Sequence, residues 1–286
     1  MTAAPLRPAP VNDRASEALL PGWTMVLAFY NEAAFLGPTL ASLAAQSLRP
    51  FRLVLVDNGS TDGSGAIARD WAARQQGIDV DVLVEPQPGQ VHALARGIAA
   101  VRTALIAIGD ADTLYPPDYL LRAQAGFAGA GDGMVAMFAH NADMDADPAR
   151  LAARTIRRLR DALIIRFFRG QTYSGGYAQL FRTRALRAAG GYSPALWPYV
   201  LKDHELVHRV SKQGHFGSDP SLWCRPSMRR ADRTGVRWTL GERILYHATP
   251  YWTKDWFFYR FLGPRLAARG MKDTVLRQRD WVEQRA

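Results

Sequence analysis

The first half of the chain alternates short apolar runs with stretches of helical periodicity, and this alternation limits its fold more than any other feature. The apolar runs predict strands at 24–29, 52–56, 79–84 and 104–108, and the segments between them predict helices at 33–46, 63–75 and 90–102. Strands that alternate with helices form a doubly wound, mostly parallel sheet with helices on both faces. We therefore predict an α/β fold of this class, followed by a helical, basic C-terminal part.

Three polar segments begin where predicted strands end. YNE (30–32) follows the first strand, DNGSTDG (57–63) the second, and GDADT (109–113) the fourth. In open α/β sheets, ligands bind beyond the carboxyl ends of the strands. We therefore expect the three segments to converge on one crevice.

Cysteine usage and hydropathy favour a cytoplasmic protein. Cys224 is the only cysteine in 286 residues, which excludes a disulfide within the chain and fits a reducing compartment. No apolar run approaches the roughly 20 residues of a membrane span. Residues 1–22 are rich in Pro and Ala without an apolar core, so we interpret them as a flexible tail rather than a signal peptide.

Charge is divided unevenly between the two halves of the chain. Residues 1–145 contain 9 basic and 15 acidic residues, whereas residues 146–286 contain 27 and 11, a net of −6 against +16. The acidic half could hold a cation, and the basic half could face the phosphates of a nucleotide, a nucleic acid or an anionic lipid. A solvated, arginine-rich surface is the alternative that charge alone leaves open.

The paired acids Asp110 and Asp112 in GDADT allow two interpretations. Asp is common in turns and helix caps, so a structural role is one of them. However, two carboxylates directly after an apolar strand repel each other unless a positive charge lies between them. Mg²⁺ and Mn²⁺ take such oxygen ligands, often one or two carboxylates together with phosphate oxygens. The spacing therefore suggests a metal–diphosphate site.

The segment LKDHELVHRV (201–210) places acidic residues near a predicted helix start. Acids in a first helical turn are favoured by the helix dipole, which is the structural interpretation. The functional interpretation makes Asp203 a general base. His204, His208 and His215 could suggest zinc, but they lie on different helix faces without a cysteine partner, so we interpret them as ordinary polar histidines.

The order of these segments resembles the family 2 glycosyltransferases of GT-A fold. The resemblance covers about 23–230 and rests on FYNE, VDNGSTDG, GDADTLYPPDYL, a glycine pair with GGY, KDHELVHRV and SMRR (227–230). It implies an inverting, metal-dependent transferase that uses Mg²⁺ or Mn²⁺. The implied donor is a nucleotide-sugar, with UDP favoured, and the implied acceptor is a saccharide, a lipid-linked hydroxyl or a cell-envelope glycan.

The resemblance also implies roles for individual residues. Asp203 would be the catalytic base, and Asp112, with Asp110, would hold the metal. The residues implied in donor binding are Phe29, Tyr30, Glu32, Asp57, Arg96, Asp110, Ala111 and Arg229. The residues implied in acceptor binding are Gly175, Gly176, Gly191, Tyr192, His204 and Glu205, with a structural role as the alternative for Glu205.

Three positions depart from the family's pattern. Lys202 stands where an acidic residue usually precedes the base, and Ala95 replaces a common Asn. No histidine occurs near Arg225, where many GT-A enzymes carry a late metal ligand, which leaves His215, His247 or none as the third ligand. The departures at Lys202 and Ala95 affect the prediction of the preferred donor more than the prediction of the fold.

The segment 251–272 contains seven aromatic residues among five basic ones. It predicts either a helix docked on the core or an interfacial helix on an anionic membrane, where aromatic rings enter the headgroup region. The arginine-rich segment 150–169, which predicts a helix, could share that surface. No RNA-binding motif is present, so we expect no nucleic acid partner.

These patterns predict three parts of the chain. They are the tail 1–22, a transferase domain 23–230 with a nucleotide-sugar half (23–115) and an acceptor half (116–230), and a basic aromatic extension 231–286. The sequence leaves two alternatives: a sugar nucleotidyltransferase, whose GxGTR loop is missing from AFYNEAA, and a non-catalytic basic binding protein on the same fold.

Overall fold

A seven-stranded sheet forms the centre of the molecule. The computed structural model describes residues 18–142, 175–227 and 239–278. The first four strands are parallel and lie in the order β3-β2-β1-β4. They are β1 (Leu20–Phe29), β2 (Phe51–Asp57), β3 (Ile78–Val84) and β4 (Thr103–Asp110), and the helices between them are α1 (Ala33–Ala44), α2 (Ser64–Ala73) and α3 (Gln90–Ala100).

The second half extends this sheet with strands of mixed direction. β8 (Gln179–Arg182) runs antiparallel to β4 and to β6 (Met134–Phe138), and β9 (His215–Gly217) pairs parallel with β6 at the edge. The helices of this half are α4 (Tyr119–Gly129), α5 (Thr183–Ala188) and α6 (Lys202–Val210). The predicted α/β class and mostly parallel sheet are therefore confirmed, with β8 as the strand that reverses direction.

Burial on both faces explains the continuous apolar runs of the central strands. In β1, Met25 and Leu27 enter the core layer on one face of the sheet, whereas Val26 and Ala28 enter the layer on the other. Because successive side chains of a strand point to opposite faces, a strand covered on both sides needs apolar residues at every position.

A second, three-stranded sheet lies beside the carboxyl end of β4. Its order is β5 (Thr113–Leu114), β10 (Trp223–Pro226) and β7 (His140–Asn141). β10 pairs antiparallel with β5, so that Pro226 lies opposite Thr113. This pairing brings the residue that follows β10 next to the GDADT segment.

The C-terminal part packs on the acceptor half. Its elements are α7 (Leu240–Ala248), 3-10 turns at Tyr251–Thr253 and Asp273–Gln278, a π-helix (Trp256–Leu262) and α8 (Gly263–Ala268). Phe257, Phe258 and Leu262 are buried in a cluster with Trp197 and Val200. The docked form predicted for this segment is therefore present on its inner face.

Three predictions from the sequence concern the N-terminal tail, the segment 150–169 and membrane-spanning helices. β1 begins at Leu20, so residues 20–22 of the predicted tail belong to this strand, and Leu20 lies opposite Thr103. The helix predicted at 150–169 lies outside the described residues. Within the described residues, the structure contains no helix with the length and apolar character that a bilayer crossing demands.

Candidate functional site

The loops after β1 and β2 interlock through their own polar side chains. Asp57 is buried at the end of β2, and its Oδ1 accepts a hydrogen bond from the Ser60 N–H at 2.8 Å. Ser60 Oγ accepts one from the Asn31 N–H at 3.1 Å, and Asp62 Oδ2 accepts one from the Ala33 N–H at 2.9 Å. The turn and cap roles of these residue types are thus realised, and they also fix Asp57 at the edge of the crevice.

Asn58 holds the next loop in place. Its Nδ2 donates to the carbonyl oxygens of Glu85 (2.9 Å) and Gln87 (2.7 Å), and its Oδ1 accepts from the Gly89 N–H at 2.9 Å. Both ends of this amide are therefore used, and the loop after β3 is tied to the end of β2.

Arg277 from the C-terminal 3-10 turn reaches the same place. Its Nη1 and Nη2 donate to Oδ1 and the carbonyl oxygen of Asn58, at 3.0 and 2.9 Å. Its Cζ lies 3.6 Å from the centroid of the Tyr30 ring, which is a cation–π contact. A residue of the predicted extension thus borders the expected nucleotide site.

The two acids of GDADT are held at the carboxyl end of β4. Gln90, the first residue of α3, donates from Nε2 to Asp110 Oδ1 at 3.1 Å. Asp112 is 8% exposed, and its Oδ2 accepts a hydrogen bond from Ser227 Oγ at 2.8 Å. The backbone of Ser227 also donates to the Asp112 carbonyl at 2.9 Å, directly after β10 pairs with β5.

The donor set at this point fits a hard divalent cation. Asp110 and Asp112 supply carboxylate oxygens, the ligand type that Mg²⁺ and Mn²⁺ prefer. Among the described residues, no group of three or more His, Cys, Asp or Glu side chains could by itself enclose a metal ion. Such an arrangement agrees with sites that complete their coordination with phosphate oxygens and water.

Asp203 lies in the first turn of α6 with a partly exposed carboxylate. The Tyr192 hydroxyl lies 2.5 Å from its Oδ1, and α6 directs its positive end at it. A Cβ on Gly176 would come within 2.9 Å of the same oxygen, so only glycine allows this approach. Burial, and after it Asp203, raise the pKa of Tyr192 well above its usual range, so its hydroxyl keeps its proton and donates it.

Lys202 is buried beside this carboxylate and has a counter-ion from the C-terminal turn. Its Nζ lies 2.8 Å from Asp273 Oδ1, and Asp273 Oδ2 accepts a hydrogen bond from the Val91 N–H of α3 at 2.8 Å. Burial alone would lower the pKa of Lys202, but attraction by Asp273 and Asp203 raises it. Lys202, which departs from the family's pattern, thus forms its ion pair with an acid 71 residues further along the chain.

Tyr115 joins the two groups of acids. Its hydroxyl accepts a hydrogen bond from the Asp110 N–H at 3.2 Å and donates to the Tyr177 carbonyl at 3.1 Å. Tyr177 belongs to the 3-10 turn Gly176–Ala178, whose first residue contacts Asp203. Asp110 is thus linked through Tyr115 to the short turn beside Asp203, which adds Asp203 to the crevice predicted for 30–32, 57–63 and 109–113.

Glu205 has a different environment from Asp203. It is 1% exposed and forms a two-pronged ion pair with Arg209, with N–O distances of 2.6 and 2.8 Å, and it also accepts a hydrogen bond from the Tyr259 hydroxyl. Arg209 in turn donates to the Ala189 carbonyl. Of the two roles that the sequence left open for Glu205, this geometry favours the structural one.

Several other residues predicted in the site are placed as follows. The side chain of Phe29 is in the core, Glu32 is buried, and the Ala111 carbonyl accepts a hydrogen bond from Thr39 Oγ1 at 2.9 Å. Arg96 is exposed on α3. His204 packs edge-on against Tyr246, Gly175 directly precedes the 3-10 turn, and Gly191 takes a φ of +55° before Tyr192. Arg229 lies outside the described residues.

The two histidines considered as a third ligand lie elsewhere. His215 pairs opposite Met134 at the start of β6, and β6 runs in the same direction as β4 because both are antiparallel to β8. About six residues of strand, or about 20 Å, therefore separate His215 from the level of Asp110. His247 packs against Tyr246 in the C-terminal part.

Four residues that bond to the predicted site residues or their neighbours were not predicted from the sequence. They are Gln90, Tyr115, Asp273 and Arg277. One signal was present, since a basic residue beside the predicted base needs a counter-ion if it is buried. Nothing in the local pattern of the segment around 273 indicates that it supplies one.

Sequence comparisons give a family match and two relatives. A profile of the family described as "Glycosyl transferase family 2" matches residues 24–189. An undecaprenyl-phosphate 4-deoxy-4-formamido-L-arabinose transferase of Aeromonas hydrophila is 33% identical over 102 residues, which are 35% of this chain and 31% of that protein. A PGL/p-HBAD biosynthesis glycosyltransferase of Mycobacterium bovis is 36% identical over 106 residues, 37% of this chain and 41% of that protein. The chain thus matches about a third of the length of these relatives.

Solved structures share the fold. The mannosyltransferase PcManGT of Pyrobaculum calidifontis, in complex with GDP-Man and Mn²⁺, matches with a TM-score of 0.63 at 19% identity, over 93% of this chain and 74% of that one. TarS of S. aureus (residues 1–349), in complex with UDP-GlcNAc, matches with a TM-score of 0.56 at 15% identity, over 86% and 72%. At these identities the likeness concerns the fold.

Proposed function

The chain belongs to glycosyl transferase family 2, and from this we propose that it moves a sugar from a nucleotide-sugar to an acceptor hydroxyl with inversion at the anomeric carbon. One observation carries the proposal. Asp110 is linked through the Tyr115 hydroxyl to the turn Gly176–Ala178, beside which Asp203 lies, and Asp112 follows Asp110 by two residues at the carboxyl end of β4. An inverting transfer needs these two functions, a leaving-group site and a base, close together.

The donor would lie along the ends of β1, β2 and β4. Tyr30 and Asp57 would border the base and ribose, and Asp110 and Asp112 would hold a divalent cation against the diphosphate. When bound, such a cation offsets the negative charge that builds on the leaving diphosphate. Two solved structures of the same fold contain GDP-Man or UDP-GlcNAc, which supports a nucleotide-sugar without fixing the base.

Asp203 would take the proton from the acceptor hydroxyl as the new glycosidic bond forms. The Tyr192 hydroxyl donates a hydrogen bond to Asp203 Oδ1 and would hold the carboxylate in place for this proton transfer. Lys202, held in its ion pair with Asp273, would keep its positive charge beside this carboxylate.

A panel of nucleotide-sugars tests this function. We expect a UDP-sugar, with GDP- and dTDP-sugars as the alternatives, to raise the melting temperature, and we expect the rise to be larger with Mn²⁺, because ligands that bind only the folded state stabilise it. A thermal-shift experiment with and without Mn²⁺ measures both effects. The proposal fails if none of the three classes shifts the transition in either condition.

The acceptor would be presented at an anionic membrane surface. Four large apolar side chains of the C-terminal part are exposed: Trp252 (82%), Leu240 (76%), Ile244 (60%) and Trp256 (50%). Leu240 and Ile244 share one face of α7, and exposed basic residues, among them Arg243 and Arg260, lie in the same part of the chain. Tryptophan with arginine is typical of surfaces that enter lipid headgroups. The Aeromonas relative is named for a lipid-linked substrate, undecaprenyl phosphate, which supports a lipid-linked acceptor.

Replacement of Trp252 and Trp256 by Ala should weaken membrane binding. We expect the unchanged protein to float with liposomes that contain anionic lipid and to be released by high salt, because headgroup attraction of about 1 kcal/mol per Lys or Arg is screened. The double variant should float less at every salt concentration. Leu121→Ala, at an exposed apolar residue on α4, is the matched control. Flotation that depends neither on anionic lipid nor on the salt concentration contradicts the proposal.

A further inference from the structure

We propose that Arg277 is a base-contact residue of the donor site, and that its guanidinium is the platform on which the nucleotide base stacks. The inference deepens the proposed function, on which it rests, by assigning part of the donor site to the C-terminal turn Asp273–Gln278. None of the residues implied by the family resemblance belongs to that turn.

The guanidinium lies directly over an aromatic ring. At 3.6 Å from the ring centroid, Arg277 Cζ is in van der Waals contact with the face of Tyr30, which leaves no room for another ring between them. The two hydrogen bonds to Asn58, at 3.0 and 2.9 Å, fix the rotation of the guanidinium about its own bond. A base that approaches this face of Tyr30 therefore meets Arg277 first.

The support beneath Arg277 is rigid. Asn58 is itself fixed by the carbonyls of Glu85 and Gln87 and by the Gly89 N–H. At the start of the same turn, Asp273 is bonded to Lys202 and to the N–H of Val91. The turn is thus anchored at both of its ends to residues of the crevice, and Asn58 acts as a positioning residue for Arg277.

The chemistry of the exposed side suits a base. Arg277 is only partly buried, and its two Nη groups point at Asn58. Nucleobases stack on guanidinium planes as they do on aromatic rings. Asp57, which the family resemblance implies in donor binding, directly precedes Asn58 in the chain. Tyr30, Arg277 and the base would then form one stack, with Asp57 at its edge.

Calorimetry on Arg277→Ala and Arg277→Lys tests the assignment. The first probe is whichever of UDP, GDP and dTDP the unchanged protein binds best with Mn²⁺, and the second is inorganic pyrophosphate with Mn²⁺, which lacks a base. We expect Arg277→Ala to bind the nucleotide roughly tenfold more weakly, the size of one lost stacking contact. Pyrophosphate affinity should stay within about twofold, because the diphosphate lies at Asp110 and Asp112.

The lysine variant separates charge from stacking, since it keeps the charge and loses the plane. We expect it to remain nearly as weak as the alanine variant. Arg184→Ala, at an exposed arginine on α5, is the matched control and should bind both probes as the unchanged protein does. Melting temperatures without ligand show whether each variant is folded.

Four results would overturn the assignment. They are nucleotide affinity that is unchanged in Arg277→Ala, affinity that rises because the turn obstructs the site, a lysine variant that binds normally, and an equal loss for pyrophosphate. If the unchanged protein binds none of the three nucleotides, both the proposed function and the role of Arg277 are wrong. If the unchanged protein binds a nucleotide and one of the four results above is found, only the role of Arg277 is wrong.

Discussion

Asp203→Asn should lower the transfer rate by about 10²–10⁴-fold and leave donor affinity within about twofold, because general-base catalysis contributes on that scale. The amide keeps the size of the carboxylate and can still accept a hydrogen bond from Tyr192, but it cannot take a proton from the acceptor hydroxyl. Rate and donor affinity are measured separately, by single-turnover transfer and by calorimetry.

Glu205→Gln is the comparison that assigns the base. Glu205 is buried in its ion pair with Arg209, so the substitution should lower the free energy of unfolding, because it leaves a buried charge without its partner. The fraction of protein that remains folded should transfer sugar at a near-normal rate. A dead Glu205→Gln variant beside an active Asp203→Asn variant would mean that the base is assigned to the wrong carboxylate.

Asp112→Asn should abolish most of the gain in nucleotide affinity that Mn²⁺ provides. Loss of a group that merely supports a metal ligand costs about 10–100-fold in metal affinity, and we expect loss of a ligand itself to reach about 100-fold. Titration of UDP with and without Mn²⁺, in the unchanged protein and in the variant, measures this difference directly.

Asp132→Asn provides the charge-matched control for this experiment. Its side chain is 89% exposed at the surface, so the variant loses the same negative charge away from the crevice. Metal-dependent affinity should be normal in this variant. If Asp112→Asn retains the full effect of Mn²⁺, the metal site inferred from GDADT is wrong.

The α/β sheet and the location of the crevice could be predicted because they depend on local patterns. The apolar runs of β1, β2 and β4 mark strands buried on both faces, and the polar residues after them mark where those strands end. These patterns place Asp57 and Asp110 at the carboxyl ends of β2 and β4, which is where both residues lie.

The rest of the site depends on contacts between distant segments, which local periodicity does not contain. Ser227 reaches Asp112 only because β10 pairs with β5, and Asp273 reaches Lys202 only because the chain returns after α8. The family resemblance covers residues up to about 230, so it implies no role for Asp273 or Arg277. The C-terminal segment was predicted to dock on the core or to lie on a membrane surface, and neither prediction placed its last turn at the end of β2, where Arg277 bonds Asn58.

The return of this last turn has a consequence for the order of events during synthesis. The bond between Asp273 and Val91 joins residues 182 positions apart, and the bonds between Arg277 and Asn58 span 219. Such contacts form late, since a chain emerges from its N-terminal end and distant segments must first be brought together. A ribosome-bound chain that has already formed β1 to β4 would therefore lack the support that Asp273 and Arg277 give to the crevice, which would be completed only after residues 273–277 have emerged and folded back onto the first half.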